Sequence, residues 1–259
     1  MSRLLHVEGL TRRFGGLVAV SDLTFHVDEH EILGIIGPNG AGKTTAVNLV
    51  SGVIRPTSGK VTFDGRPVTA RSPHVLARMG LVRTFQSTTV YGQRTVRENA
   101  LRGAYLGMYA GFLGSLANSS RARRLRAESE QLVDELLDWL SLTDVADVPA
   151  GSLPYGYQKT LGMVITLATK PRLVMLDEPV AGLSADEADH VRDTILKIRG
   201  RGITIIVIDH NMRFIKGLCD RVMVINNGHE LAVGSPANVL SNPLVIEAYL
   251  GRGHATAHG

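Results

Sequence analysis

A glycine-rich stretch near the N-terminus is the first part of the sequence whose residue types and spacing suggest chemistry. Its residues are Gly37, Pro38, Asn39, Gly40, Ala41, Gly42, Lys43, Thr44 and Thr45. A glycine, four further residues and Gly-Lys-Thr form the P-loop pattern, in which backbone N–H groups face phosphate oxygens. We therefore expect this stretch to bind a nucleoside triphosphate, with Lys43 reaching the β- and γ-phosphates and the Thr44 hydroxyl binding Mg²⁺.

Two adjacent carboxylates form the second chemical feature. An apolar run at 173–176 ends in Asp177 and Glu178. At the carboxyl end of a strand, both can lean toward a nucleotide held by the first strand–helix turn. Because successive strand residues point to different sides, the two suit different tasks. We expect Asp177 to hold Mg²⁺ through a water and Glu178 to polarise the attacking water. An acidic turn that merely ends a strand is the simpler alternative.

Strands and helices must hold these residues in place. Nearly continuous apolar runs at 31–36, 173–176 and 203–208 predict strands buried on both faces. Further strands are predicted at 6–10, 23–27, 59–64, 81–85 and 222–225, and helices at 44–50 and 185–198. Between about 95 and 169 the apolar spacing is helical. Strand–helix alternation on both sides of this segment predicts an α/β fold with a mostly parallel sheet.

Four more features gain meaning from their order around the two motifs. They are Phe14, Gln86, the segment Ala181-Gly182-Leu183-Ser184, and His210. With them, the chain resembles the ATP-binding subunits of ABC transporters over essentially its whole length. The resemblance implies that Phe14 stacks on adenine, that Gln86 is a Mg²⁺ ligand and senses the transmembrane partner, and that His210 contacts the γ-phosphate. It also makes 181–184 the D-loop. Taken alone, Phe14, Gln86 and His210 would each more often be an ordinary core or loop residue.

The family's signature sequence, Leu-Ser-Gly-Gly-Gln, is altered in this chain to Leu153-Pro154-Tyr155-Gly156-Tyr157. Tyrosine at the third position resembles the subfamily that imports branched-chain amino acids, urea and short amides, as do segments 14–16, 80–86 and 247–251. Pro154 and Tyr157 depart even from that subfamily. Pro154 leaves two interpretations open. It can simply begin a helix, or it can weaken the signature because it lacks the serine hydroxyl.

The resemblance implies a RecA-like P-loop NTPase core with a mostly parallel sheet, an antiparallel β-lobe and an inserted helical subdomain. We expect one ABC ATPase domain over residues 1–251, with the core at 1–88 and 163–251 and the helical subdomain at 89–162. Residues 252–259 are rich in glycine, histidine and alanine, and we expect a disordered tail there.

Composition indicates a globular, core-forming chain of 259 residues, 44% hydrophobic and 20% charged. A net charge of +4, with both signs interspersed, does not predict nucleic-acid binding. The N-terminus lacks an apolar signal segment and there is one cysteine, Cys219, so we expect a cytoplasmic protein with a buried thiol. The uncharged window 103–120 carries several glycines and serines, which make it a poor membrane span. It is either a mobile loop or a docking segment.

The resemblance implies an ATP-hydrolysing subunit that binds ATP and Mg²⁺ and energises an importer of branched-chain amino acids or similar small polar solutes. The expected partners are transmembrane permease subunits, and the expected location is peripheral, on the inner face of the cell membrane. Two such subunits should meet head to tail, each holding ATP between one P-loop and the other's signature. We expect a heterodimer with a second ATPase, and a homodimer also fits. The alternatives are an ABC-type ATPase without a permease, acting in repair or on ribosomes, and a non-hydrolysing regulatory cassette.

Overall fold

The computed structural model describes residues 2–84, 90–108 and 120–250, whose strands form two sheets. The larger sheet consists of β3 (Ile32–Ile36), β6 (Leu81–Arg83), β7 (Leu173–Asp177), β8 (Thr204–Ile208), β9 (Arg221–Asn226) and β10 (His229–Gly234). The smaller sheet consists of β1 (Arg3–Phe14), β2 (Leu17–Asp28), β4 (Ser58–Phe63) and β5 (Arg66–Pro67).

The larger sheet has the strand order β10-β9-β3-β8-β7-β6. Its pairs are parallel except β9 and β10, which are antiparallel. Strands β3, β7 and β8 are buried along their whole length, as expected for strands covered on both faces. Successive residues alternate between two hydrophobic clusters, with Ile205 in one and Ile206 in the other. The predicted mostly parallel sheet is confirmed.

The smaller sheet has the order β2-β1-β4-β5 and is antiparallel throughout. Together with helix α1 (Lys43–Val50), it covers one face of the larger sheet. Leu5 and Phe63 of the smaller sheet belong to the same cluster as Ile35 and Met175 of the larger one. The predicted antiparallel β-lobe is therefore confirmed.

The remaining helices are α2 (Pro73–Arg78), α3 (Val96–Met108), α4 (Ser120–Trp139), α5 (Tyr155–Leu167), α6 (Ala185–Gly200), α7 (Met212–Leu218), α8 (Pro236–Leu240) and α9 (Pro243–Leu250). Helices α3, α4 and α5 lie between β6 and β7 along the chain and pack on one another. The apolar stripe expected in this segment lies on α4, where Val133 and Leu137 are buried. Among the described residues, no helix is both long and apolar enough to cross a membrane.

Several predicted boundaries were wrong. Strands β1 and β2 each run for 12 residues, well beyond the predicted 6–10 and 23–27. Register shifts around Gly9 break the alternation on which those predictions relied. Strand β10 and helices α7 to α9 were not predicted, because short elements carry little periodic signal. Cys219 is buried as predicted, and burial raises its pKa to about 12.

Candidate functional site

The carboxyl ends of three neighbouring parallel strands meet at one edge of the larger sheet. The P-loop follows β3, Asp177 ends β7, and His210 lies just beyond β8. The register pairs Ile208 with both Ile35 and Asp177, and the Glu178 N–H donates to the Ile208 carbonyl oxygen at 2.7 Å. Ligands of open α/β sheets bind at this edge. The fold therefore brings the predicted loop, both carboxylates and the histidine to one edge.

Steric crowding requires glycine at two positions of the P-loop. A Cβ at Gly37 would lie 2.0 Å from the Ile225 carbonyl oxygen, and one at Gly42 would lie 2.5 Å from the Ala19 carbonyl oxygen. Both residues also have positive φ angles, 152° and 103°. Gly42 is the residue before α1, so the loop leads directly into a helix N-terminus that favours an anion.

Lys43, the first residue of α1, folds back over the loop. Its Nζ donates to the carbonyl oxygens of Gly37 at 2.7 Å and Pro38 at 3.0 Å. Thr44 beside it is exposed, and Thr45 is half-buried. A tight loop that requires glycine at two positions, together with an ammonium group and an accessible hydroxyl, has the shape and charge that a triphosphate requires.

Asp177 is a buried carboxylate that pairs with an arginine. The Arg83 Nη2 donates to Asp177 Oδ2 at 2.6 Å, and the two side chains are 8% and 4% exposed. The other terminal nitrogen, Nη1, donates to Asn48 Oδ1 at 2.5 Å. Asn48 lies on α1 one turn after Thr44 and on the same helix face. Arg83 lies within the segment 80–86 that resembles the subfamily, but its contact with Asp177 depends on the pairing of β6 with β7, which is not visible in the sequence.

Glu178 has a left-handed backbone, with φ 47°, which is uncommon for a residue other than glycine and concentrates at functional sites. Its Oε1 lies 3.7 Å from His210 Nδ1. Asp209 is buried beside the histidine, and its Oδ1 accepts a hydrogen bond from the Asn211 N–H at 2.8 Å. Burial raises the pKa of Asp209, while the Asn211 N–H acts in the opposite direction. Its Oδ2 has no hydrogen-bond partner among the described residues.

Phe14 lies at the end of β1, next to the turn into β2, and 44% of the residue is exposed. The Arg12 guanidinium carbon lies 4.5 Å from the centroid of the Phe14 ring, which is a cation–π contact. The same lobe approaches the P-loop through Ala19, whose carbonyl oxygen crowds Gly42. The lobe thus presents an exposed aromatic ring of the kind that can stack on a base.

The altered signature begins α5, with Pro154 immediately before the first helical residue, Tyr155. Glu187 of α6 lies against it, with Oε1 3.4 Å from the point where Gly156 would carry a Cβ. The Ser184 N–H and hydroxyl donate to Glu187 Oε2 at 2.9 Å and 2.8 Å. These bonds, and a smaller contribution from the Gly156 N–H, lower the pKa of Glu187. A carboxylate therefore lies beside the signature, and this contact was not predicted from the sequence.

The C-terminal helix also approaches the P-loop. The Tyr249 hydroxyl of α9 is buried and makes no hydrogen bond within the described part of the chain. Burial raises its pKa to about 12, and the nearby Gly37 N–H opposes this rise without reaching hydrogen-bond geometry. The predicted ligand Gln86 lies outside the described residues, as do 109–119 of the uncharged window and the tail at 252–259.

Two family models match the chain. One, described as ABC transporter, matches residues 20–181. The other, described as branched-chain amino acid ATP-binding cassette transporter, matches residues 230–255. The second match contains Tyr249 and the C-terminal segment 247–251, which resembles the branched-chain amino acid subfamily.

Curated relatives and solved structures match along nearly the whole chain. The branched-chain amino acid transport ATP-binding protein BraF of Pseudomonas aeruginosa is 40% identical, covering 97% of this chain and 99% of that protein. LivG of Escherichia coli, which has the same description, is 37% identical, covering 96% of this chain and 98% of that protein. The ADP conformation of an ATP-binding cassette of an ABC transporter superposes with a TM-score of 0.86 at 30% identity, covering 97% of this chain and 100% of that one.

Proposed function

The chain belongs to the ABC transporter family as an ATP-binding cassette, and we propose that it energises an importer of branched-chain amino acids or similar small polar solutes. The observation that carries this proposal is the convergence of the P-loop, Asp177, Glu178 and His210 at one sheet edge. The solute class is supported by the match at 230–255 and by the relatives BraF and LivG.

The residues at the sheet edge fit a nucleotide with a divalent cation. The backbone at Gly37 has no room for a Cβ, which would lie 2.0 Å from the Ile225 carbonyl oxygen. Glycine therefore allows the tight turn in which backbone N–H groups can face a phosphate. Thr44 and Asp177 supply a hydroxyl and a carboxylate, and Gln86 adds an amide oxygen by analogy with the family. Mg²⁺ prefers such oxygen ligands, few from protein and the rest from water and phosphates. When bound, the ion would neutralise charge on the phosphate oxygens.

Hydrolysis in this site rests on positioning and charge. Lys43 exchanges its carbonyl partners in the loop for phosphate oxygens as its ammonium neutralises the β- and γ-phosphates. Glu178 orients and polarises the attacking water, and His210 contacts the γ-phosphate from the neighbouring strand end. Phosphoryl transfer needs little covalent chemistry from the protein, so these residues contribute mainly positioning and charge neutralisation.

A complete site also needs the signature of a second ATPase subunit. In this chain Pro154 replaces the signature serine, and Glu187 places negative charge beside Gly156. Both features weaken the site that this chain's signature completes for its partner. The site built on Lys43 and Glu178 uses the partner's signature instead. A heterodimer with an ATPase of intact signature therefore keeps one fully active site, and it is the assembly we favour over a homodimer.

Transmembrane permease subunits are the remaining partners. They place the protein peripherally on the inner face of the membrane, and Gln86 reports their state to the nucleotide. Residues 1–251 act as one ABC ATPase domain with its core at 1–88 and 163–251. The helical subdomain at 89–162, including the uncharged window 103–120, provides the face that docks on the permeases.

Reconstitution tests this proposal. The chain, copurified with its permease subunits and second ATPase, is placed in proteoliposomes with a capture protein, and uptake of labelled leucine and urea is measured with MgATP. Leucine uptake that stops in Lys43→Ala supports the proposal, and ATP hydrolysis without uptake of either solute contradicts it. A non-hydrolysing regulatory cassette is the second candidate, favoured by the altered signature, and uptake unaffected by Glu178→Gln would support it.

A further inference from the structure

Arg83 connects three parts of the site that are distant in sequence. It ends β6, donates to Asp177 at the end of β7, and donates to Asn48 on α1. Its backbone position is fixed as well, because β6 pairs with β7 and the Thr84 N–H donates to the Met175 carbonyl oxygen at 2.9 Å. A single guanidinium thus joins the acidic strand end to the helix that follows the P-loop.

The contact is too buried to be an incidental surface ion pair. Both side chains are less than one-tenth exposed, with 2.6 Å between Arg83 Nη2 and Asp177 Oδ2. A buried carboxylate without a partner is strongly unfavourable, so the ion pair with Arg83 holds the Asp177 side chain in one orientation. The planar guanidinium holds two acceptors in fixed directions from two separate nitrogens, whereas a lysine ammonium donates from a single nitrogen at the end of a flexible chain.

We propose that Arg83 is a positioning residue for the magnesium ion. By holding Oδ2 of Asp177, it would leave Oδ1 as the carboxylate oxygen that serves the metal. Through Asn48 it also fixes the face of α1 that carries Thr44 one turn earlier. The two protein ligands from β7 and α1 are thereby kept in register with each other before nucleotide binds. This inference rests on the proposed MgATP site.

The test measures binding, not turnover. ATP affinity of the full chain is determined by calorimetry in excess Mg²⁺ and in EDTA, for the native chain, Arg83→Lys and Arg83→Gln. Because groups that orient metal ligands contribute about 10- to 100-fold to metal affinity, the gain in ATP affinity on adding Mg²⁺ should fall by at least about 10-fold in both variants. Affinity in EDTA should stay within about 2-fold, which also shows that the variants are folded.

Two further variants sharpen the result. Asn48→Ala removes the contact between Arg83 and α1 and leaves the Arg83–Asp177 ion pair in place. It should cause a smaller loss of the Mg²⁺-dependent gain in ATP affinity. In an Asp177→Asn background, Arg83→Lys should have little additional effect, because the two residues act as one unit. Arg221→Lys is the matched control. Arg221 Nε lies 2.7 Å from Glu31 Oε1, in an ion pair away from Thr44 and Asp177, so this variant should leave the Mg²⁺-dependent gain in ATP affinity unchanged.

The outcomes separate the inference from the proposed function. If the native chain shows a Mg²⁺-dependent gain that Arg83→Lys, Arg83→Gln and Asn48→Ala all retain or increase, Arg83 does not position the metal and the inference is wrong. If the native chain itself shows no such gain, the proposed metal site is wrong, and the inference is lost with it. Loss of the gain in Arg221→Lys as well would assign the effect to general stability and would also overturn the inference.

Discussion

His210 Nδ1 lies 3.7 Å from Glu178 Oε1, across the ends of two adjacent parallel strands. The distance is too long for a hydrogen bond, and both side chains are accessible, at 61% and 32% exposure. Glu178 reaches this place through a backbone with φ 47°, which turns the chain sharply after β7. The two groups therefore lie near each other without a hydrogen bond, and each is accessible to a third group.

Glu178→Gln should retain ATP binding and lose nearly all turnover. Glutamine has the shape of glutamate but cannot polarise water as a carboxylate does. ATP held without hydrolysis should keep two ATPase subunits together. Size-exclusion chromatography with ATP and a phosphate-release assay check both parts. A monomer that releases phosphate at the native rate would contradict the assignment.

Lys43→Ala should weaken ATP binding strongly. A hydrogen bond to a charged group contributes about 1.5–3 kcal/mol, which corresponds to roughly 10- to 150-fold in affinity. Lys60→Ala, at an exposed position of β4, is the matched control for removal of a lysine charge. Calorimetric titration with ATP measures both variants. Equal affinities for the two would mean that Lys43 does not contact phosphate.

Local sequence patterns were enough to predict the parallel core and the P-loop, because strand burial and phosphate binding are encoded in short runs such as 31–36 and 37–44. They could not predict the partners of those residues. Arg83 and Asp177 are 94 residues apart, and the contact depends on β6 lying beside β7. The approach of Glu187 to Gly156 likewise depends on how α5 and α6 pack. The resemblance supplied His210 and Phe14, and it contained no information about these contacts.

Tyr249→Phe should leave stability unchanged or raise it by up to about 1 kcal/mol. The hydroxyl is buried without a hydrogen bond among the described residues, so its removal eliminates a desolvation cost and no bond. Urea unfolding measures the effect, and Tyr91→Phe, at an exposed ring, serves as the control. A loss of more than about 1 kcal/mol would show that the hydroxyl contributes a real bond near Gly37.

The raised pKa of Asp209 should lower the free energy of unfolding as pH rises above the usual carboxyl range. Burial raises the pKa of Asp209 in the folded state. Between its ordinary value, near pH 4, and the raised folded value, the folded state binds more protons than the unfolded state, so stability falls as pH rises. Asp209→Asn should remove this part of the slope. Urea unfolding from pH 4 to 8 at constant ionic strength measures it, and an identical slope in the two proteins would contradict the prediction.

Pro154→Ser should accelerate ATP hydrolysis at the site that this chain's signature completes for its partner. The proline lacks a hydroxyl and an N–H, and a lost hydrogen bond to a charged group costs about 1.5–3 kcal/mol, or roughly 10- to 150-fold in rate. The measurement uses the reconstituted transporter with Glu178→Gln in this chain, so that only the partner's P-loop turns over. Adding Pro154→Ser should raise the remaining rate, and adding Glu187→Gln should raise it further, because the carboxylate beside Gly156 repels phosphate. If the Pro154→Ser, Glu178→Gln double variant hydrolyses ATP no faster than Glu178→Gln alone, Pro154 serves only to begin α5. It then does not cause a difference in activity between the two sites.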